Sequence, residues 1–450
     1  MPSLTETLAD FAVATRAADI APLALTHAQM CLASTVASAA MGYRIASARI
    51  VRQLELADGG APMAAVWFHG GSLPLARAAR VNAVASDAAA SDDSDMRSIA
   101  HIGTIASTVG LALGESQAAS GRDVLAAMVL GYEVAGRIDE SLTPGRMRRG
   151  FHGSFSTAFA AAVVAGRLLG LDTPRMAHAL ALTATSTGGM AMAADTSCAR
   201  EYHAGLAAGA GVQAALAAAR GFEGELAVLE HPRGFLQALG GQDVEAVTEG
   251  LGASWDIVTD MAIKLMPGAH PFHATAEAAA QAARQARFDP YEIAHVTISA
   301  AVQWTSFKGD PHPRNLVDAA HSLHYFVAAA IVDGAFGWEH MDERKMADPV
   351  IARVQDKVAF DPDPPPLPDR FPHRHGGSVR IALRDGRELR GTCVMPRGSG
   401  ARGIAWADVD AKFRQLAPLG GLGPVLDTCL DRLHGFDRLE RVAPLVELLR

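Results

Sequence analysis

The chain has few cysteines, and none of them are paired in sequence. Cys31, Cys198, Cys393 and Cys429 lie far apart with no CxxC spacing. That excludes a disulfide framework and a zinc ribbon, and free thiols suit a reducing, cytoplasmic compartment. Aromatic residues make up only 6% against 49% hydrophobic residues overall, so alanine and leucine dominate the apolar positions. That balance favours close-packed helices over a sandwich of β-branched and aromatic strands. An excess of basic residues is also missing, with 40 Lys and Arg against 48 Asp and Glu and a net charge of -8. No nucleic-acid footprint is expected, and an anionic substrate would have to be held by a few local cations.

Several motifs are absent too. No GxSxG elbow, GxxxxGK[ST] loop, strand-linked GxGxxG or HExxH helix occurs, so hydrolysis through a nucleophile elbow, phosphate cradling and dinucleotide binding have no support, and no cofactor is expected. The opening MPSLTETLADFAVATRAADI has no basic segment leading into a continuous apolar stretch. It does not read as a signal peptide, and no membrane-spanning helix is expected.

From Leu4 to about Leu236 the sequence is a series of alanine- and leucine-rich segments at helical spacing, broken at Gly59-Gly60 and Thr143-Pro144-Gly145. Ser3 with Glu6 three residues on, and Asp172-Thr173-Pro174, read as helix starts. Beyond about Met266 the texture changes. AHVTISAAVQWTSF reads as a strand, DAAHSLHYFVAAAIVDGAF as one helix, and SVRIALRDGRELRGTCVM as a hairpin turning at Asp385-Gly386. FDPDPPPLPDR reads as an extended surface connector, and helix returns after Ile404. The expected fold is mainly α: a large all-α domain over 1–265, completed by helices over 405–450, and a smaller α+β lid domain over 266–404.

The stretches NAVASDAAASDDSDMRSIAHIGT, FHGSFSTAFAAAVVAGRLLGLDTPRMAHALALTATSTGGM, REYHAGLAAGAGVQAALAAARGFEGELAVLEHPRGFLQAL, IKLMPGAHPFHATAEAA, DAAHSLHYFVAAAIVDG and DGRELRG together resemble the MmgE/PrpD family along nearly the whole chain. That family includes 2-methylcitrate dehydratase, cis-aconitate decarboxylase and iminodisuccinate epimerase. The resemblance implies a helical domain made from both chain ends, a smaller lid domain, an active site between them, a homodimer, and a small di- or tricarboxylate substrate.

Moving a proton next to a carboxylate needs a base at the carbon and cations at the oxygens, where negative charge gathers. Matched to the family's motifs, His101 and His152 become the acid and base. Asp93 would orient a histidine. Arg200, where the family usually has Lys, and Lys264 would clamp carboxylates, with Tyr325, His273 and Ser94 completing the set. Structural alternatives stand beside each: a helix-capping His152 or His273, a solvated Lys264, a core Tyr325. The acidic DFDDT segment of the family reads here Ala90-Ser91-Asp92-Asp93-Ser94, and Ala269 replaces a histidine of the decarboxylase branch. A dehydratase of the 2-methylcitrate type, the family's commonest assignment, is ranked first, then an epimerase, with a decarboxylase disfavoured by Ala269 and a catalytically eroded helical dimer as the non-enzymatic alternative. His321 and His324, with Asp318, could share a helix face as a metal site, though no metal is expected.

Overall fold

The computed structural model describes residues 2–241, 244–300, 309–364 and 376–450. It separates into two compact units, one of Met1–Ala194, Cys198–Ile263 and Ile404–Arg450, the other of Asp195–Ser197 and Lys264–Gly403.

The first unit is built of helices α1 (Leu4–Ala14), α2 (Pro22–Gly42), α3 (Ala46–Asp58), α4 (Leu75–Ala88), α5 (Ile102–Ser116), α6 (Gly121–Leu142), α7 (Ser154–Leu168), α8 (Thr173–Ala184) and α9 (Ala199–Ala219). The expected caps form. Ser3 and Glu6 close a capping box on α1, and Asp172 caps α8 with Pro174 in its first turn. Helix α7 packs between α6 and α9, and the alanine-rich composition explains how closely. A Cβ at Gly211 would fall 2.4 Å from the Ala158 carbonyl oxygen, so only glycine lets the two backbones approach that far. The charge-free stretch from Ile20 to Tyr43 becomes α2, buried along most of its length among the other helices. Among the described residues no helix is long and apolar enough to cross a membrane.

The expectation of an all-α unit needs a correction. Ala64–Val66 (β1) pairs with Gly71–Leu73 (β2), and Asp93–Asp95 (β3) pairs antiparallel with Met261–Ile263 (β4). Three-residue strands carry no readable period, and the second pair joins segments far apart in sequence. The C-terminal helix Trp406–Leu416 packs on α2, where Lys412 donates to Ser34 Oγ at 2.7 Å and to the Ser91 carbonyl.

The second unit contains helices α10 (His273–Ala283), α11 (Leu316–Ala320), α12 (Leu323–Val332) and α13 (Pro349–Gln355), with strands β5 (Ile293–Ala300), β6 (Val358–Phe360), β7 (Gly377–Leu383) and β8 (Glu388–Cys393). The sheet order is β6-β5-β7-β8, parallel between β5 and β6 and antiparallel elsewhere. One face of the sheet is covered by α10 and by α12 behind it. The hairpin β7–β8 turns where expected: Gly386 sits at φ 89 and the Asp385 carboxylate accepts from the Arg387 amide.

The single helix expected from Asp318 to Phe336 is instead broken at His321-Ser322, because the Ser322 hydroxyl accepts from the Tyr325 amide and starts a new helix. His321 therefore closes α11 while His324 opens α12, which removes the shared helix face proposed for a metal. The end of the strand expected over 294–307 and most of the Pro-rich connector lie outside the described residues.

Candidate functional site

Helix α4 ends at Ala88, and the chain passes through Ala90, held at φ 50, to the buried acids Asp92 and Asp93. The Asp93 carboxylate accepts from the Gly103 amide at 2.7 Å and the Thr104 amide at 2.8 Å, so it caps the first turn of α5. Only glycine fits at position 103, since a Cβ there would lie 2.2 Å from Cys31 Sγ and 2.7 Å from Asp93 Oδ2. Burial and the adjacent Asp92 charge push the Asp93 carboxyl up to about 6, partly offset by His101 and the two amides. The carboxylate of Asp93 thus does not orient a histidine, as its place in the motif suggested.

His101 stands at the N-terminal edge of α5. Its Nδ1 lies 2.7 Å from the Asp93 carbonyl oxygen and 2.9 Å from Asp92 Oδ2. Both neighbours are acceptors, so Nδ1 carries a proton and Nε2 is the nitrogen that titrates. The aspartate carboxylate that meets His101 is Asp92, and Asp93 contributes its backbone. Ser94 lies in β3, and its buried hydroxyl has no hydrogen-bond partner among the described residues; nothing aims it at a substrate.

His152 is held differently. Its amide donates to the Gly189 carbonyl at 3.1 Å, and its Nδ1 accepts from the Ser154 amide at 3.3 Å as α7 begins. Ser154 Oγ in turn donates to the Gly188 carbonyl at 2.7 Å. Burial, then the neighbouring His101, Arg146, His203 and Arg200, hold the His152 imidazole well below the usual histidine range. The His203 ring sits 5.3 Å from that of His152 and is pushed down by burial as well. On the same turn of α9, Arg200 Nε donates to Asp87 Oδ2 at 3.0 Å and its Nη2 to the Asp87 carbonyl at 2.7 Å. Burial opposes the Arg200 charge, but Asp87, Glu201 and Asp92 more than offset it, and the guanidinium stays protonated.

Asp87, His101, His152, Ser154, Thr157 and Arg200 line one cavity. About 10 Å³ of it is open to water, room for roughly a single water molecule, so a polycarboxylate enters only if part of the wall moves. A larger groove of about 480 Å³ runs beside α3, α4 and α9. Its Arg77 and Arg80 are already paired with Glu55 and Asp58, and it contains no acid or base comparable to the histidine pair. Among the described residues, Asp87, Asp92 and His101 also bring possible ligand atoms within 4.8 Å of one another. The Arg200 guanidinium already supplies a positive charge to that group.

Lys264, His273 and Tyr325 belong to the second unit. Lys264 and His273 are buried, so Lys264 is not the solvated surface lysine of the alternative reading. The His273 ring packs against His270 and Phe326 at the first turn of α10. Tyr325 is fully buried, donates its hydroxyl to the His340 carbonyl at 2.8 Å and packs edge-on to Phe336. The hydroxyl expected to reach substrate is thus engaged inside its own unit.

Sequence reasoning missed Asp87, Asp92, Ser154 and His203. The spacing of His203, three residues after Arg200 on one helix, could have suggested a shared face. Asp87 left no such trace, because its pairing with Arg200 spans 113 residues.

Residues 6–247 match the MmgE/PrpD N-terminal domain and residues 266–422 the MmgE/PrpD C-terminal domain. The chain is 26% identical over 347 residues to the cis-aconitate decarboxylase of Homo sapiens, covering 75% of this chain and 71% of that protein. It is 24% identical over 340 residues to the Mus musculus enzyme of the same name, covering 74% and 69%. To the cis-aconitate decarboxylase of Aspergillus terreus (strain NIH 2624 / FGSC A1156) it is 27% identical over 361 residues, covering 73% and 71%. With two domain models of one family together spanning most of its length, the chain belongs to the MmgE/PrpD family.

Proposed function

We propose that this protein is a lyase acting on a small di- or tricarboxylate, in which Nε2 of His101 moves a proton at a carbon next to a carboxylate. The observation that carries this reading is the convergence of His101, His152 and Arg200 on one buried cavity, with the His101 tautomer set by two oxygen acceptors. An imidazole held this way can take a proton through Nε2 and return it. Arg200 and the N-terminal turn of α7 supply positive potential where an enediolate would gather charge. Lys264 as a second carboxylate partner rests on the family resemblance, as do metal independence and a homodimer. A cytoplasmic location rests on composition.

Two lyase reactions use this arrangement. In decarboxylation, the bond to the departing carboxylate breaks and its electron pair forms a new double bond. The old π pair then moves to the carbon beside a remaining carboxylate, and the His101 imidazolium protonates it and is recharged at Nε2 by a proton from solvent. In dehydration, His101 takes the proton and the C–H pair forms the double bond as hydroxide leaves with a proton from a donor. The names of the similar enzymes favour the first, while Ala269 in place of a histidine favours the second. Decarboxylation is tested first.

The test is incubation of the protein in D₂O with cis-aconitate, methylcitrate, citrate and iminodisuccinate, with and without EDTA, followed by proton NMR. Loss of CO₂ with one deuterium gained identifies the decarboxylase, and a new alkene without CO₂ loss the dehydratase. Exchange at a retained C–H carbon with no other change would replace the lyase with an epimerase. No change in any of the four acids would sink the proposal for this substrate class.

A further inference from the structure

The two histidines of the cavity are held by opposite kinds of partner. Nδ1 of His101 faces two oxygen acceptors and must carry hydrogen. Nδ1 of His152 faces the Ser154 backbone N–H and must not. The Ser154 amide cannot turn away, because it opens α7 and its side chain is tied to the Gly188 carbonyl. Nor can His152 slide, because its own amide is fixed to the Gly189 carbonyl. A Cβ on Gly189 would lie 2.3 Å from Ser154 Oγ and 3.2 Å from the His203 ring, so the position accepts only glycine. A doubly protonated His152 would set N–H against N–H at Ser154.

Resting on the lyase reading above, we propose that His152 serves as a neutral hydrogen-bond donor through Nε2–H to a substrate carboxylate or leaving oxygen, and that proton transfer is left to Nε2 of His101. The same cavity therefore holds one imidazole that keeps its N–H and one whose Nε2 gains and loses a proton, a division of labour that two interchangeable imidazoles could not maintain.

The groups around His152 support this from every side. His101 faces it from the edge of α5, Arg146 from the turn after α6, and Arg200 and His203 from α9. Arg146 is paired with Asp139 and Arg200 with Asp87, so both carboxylates are already engaged. The Asp87 carboxylate that lines the same cavity is taken by Arg200, whereas Asp92 lies directly against His101. His203 is buried, and its Nδ1 has no hydrogen-bond partner among the described residues. It would add repulsion if either ring took a second proton.

The deciding experiment is long-range ¹H–¹⁵N correlation on the full chain labelled with ¹⁵N-histidine, without substrate, from pH 5.5 to 8.5. The His152 signals are assigned by their loss in His152→Gln, or in His152→Asn if that variant does not fold. The Nε2–H tautomer, unchanged across the range, is expected. An Nδ1–H tautomer, or conversion to imidazolium between pH 6 and 8, would overturn the proposal. On any turned-over substrate, His152→Gln, which keeps an N–H near the Nε2 position, should retain at least about tenfold more activity than His152→Ala. Equal loss in both would also overturn it. Because the NMR readout needs no substrate, failure of the tautomer assignment and failure of the lyase reading are separate results.

Discussion

Asp92 Oδ2 lies 2.9 Å from His101 Nδ1, the ring nitrogen that also meets the Asp93 carbonyl. A carboxylate there fixes the ring, selects its tautomer and stabilises the imidazolium when it forms. Replacing His101 by Ala should lower turnover by about 10² to 10⁴-fold. The thermal midpoint should change far less, because the α5 cap comes from Asp93 and not from this side chain. Steady-state kinetics with a melting curve on the same preparation checks both. Unchanged turnover would remove His101 from the mechanism.

Asp93 should show its burial in the pH dependence of stability. Its carboxyl is raised from the ordinary 3.8 to about 6 in the folded chain, so the folded state holds that proton more tightly than the unfolded one. The resulting stabilisation is present below about pH 4 and lost as pH rises to about 6. An Asn has no such dependence. The cost of Asp93→Asn should therefore be larger at pH 4.5 than at pH 7.5, by about 2 kcal/mol. Denaturant titrations at the two pH values measure it; a cost that grows with pH would contradict this burial argument.

Tyr325 separates structure from catalysis. Tyr325→Phe removes the hydroxyl that donates to the His340 carbonyl and should cost about 1–2 kcal/mol of stability. Turnover should stay within about twofold. A loss of a hundredfold in kcat with unchanged stability would show that the hydroxyl leaves His340 and reaches the substrate, as its family position implies.

Arg200 should be sensitive to what replaces it. Arg200→Ala leaves the fully buried Asp87 without its guanidinium, at a cost of about 3–5 kcal/mol. Arg200→Lys keeps the charge but can reach fewer of the Asp87 acceptors. It should fold with a smaller loss and a raised KM, measured by chemical denaturation and by kinetics.

Much of this could be read from local sequence, where the physics is local. The Ser3 and Asp172 caps, the Asp385-Gly386 turn and the helical periods each depend on neighbours within a few residues. Where a side chain chose between two local options, sequence alone picked wrongly. Ser322 capped a new helix where a single helix from Asp318 to Phe336 was expected, and the Asp93 side chain capped α5, leaving its backbone carbonyl to meet His101.

The sequence by itself determined that this is a mainly helical chain of the MmgE/PrpD family, rich in small residues, with histidines and an arginine in motifs suited to proton chemistry beside carboxylates. Tertiary structure alone decided which partner meets Nδ1 of each histidine. The Asp93 carbonyl and Asp92 hold one nitrogen of His101, and the Ser154 amide holds the corresponding nitrogen of His152. It also decided that Arg200 is tied to Asp87 across 113 residues. The reason is physical: residue type and spacing specify which groups exist, but tautomer, charge state and hydrogen-bond role depend on partners that only burial brings within 3 Å or so.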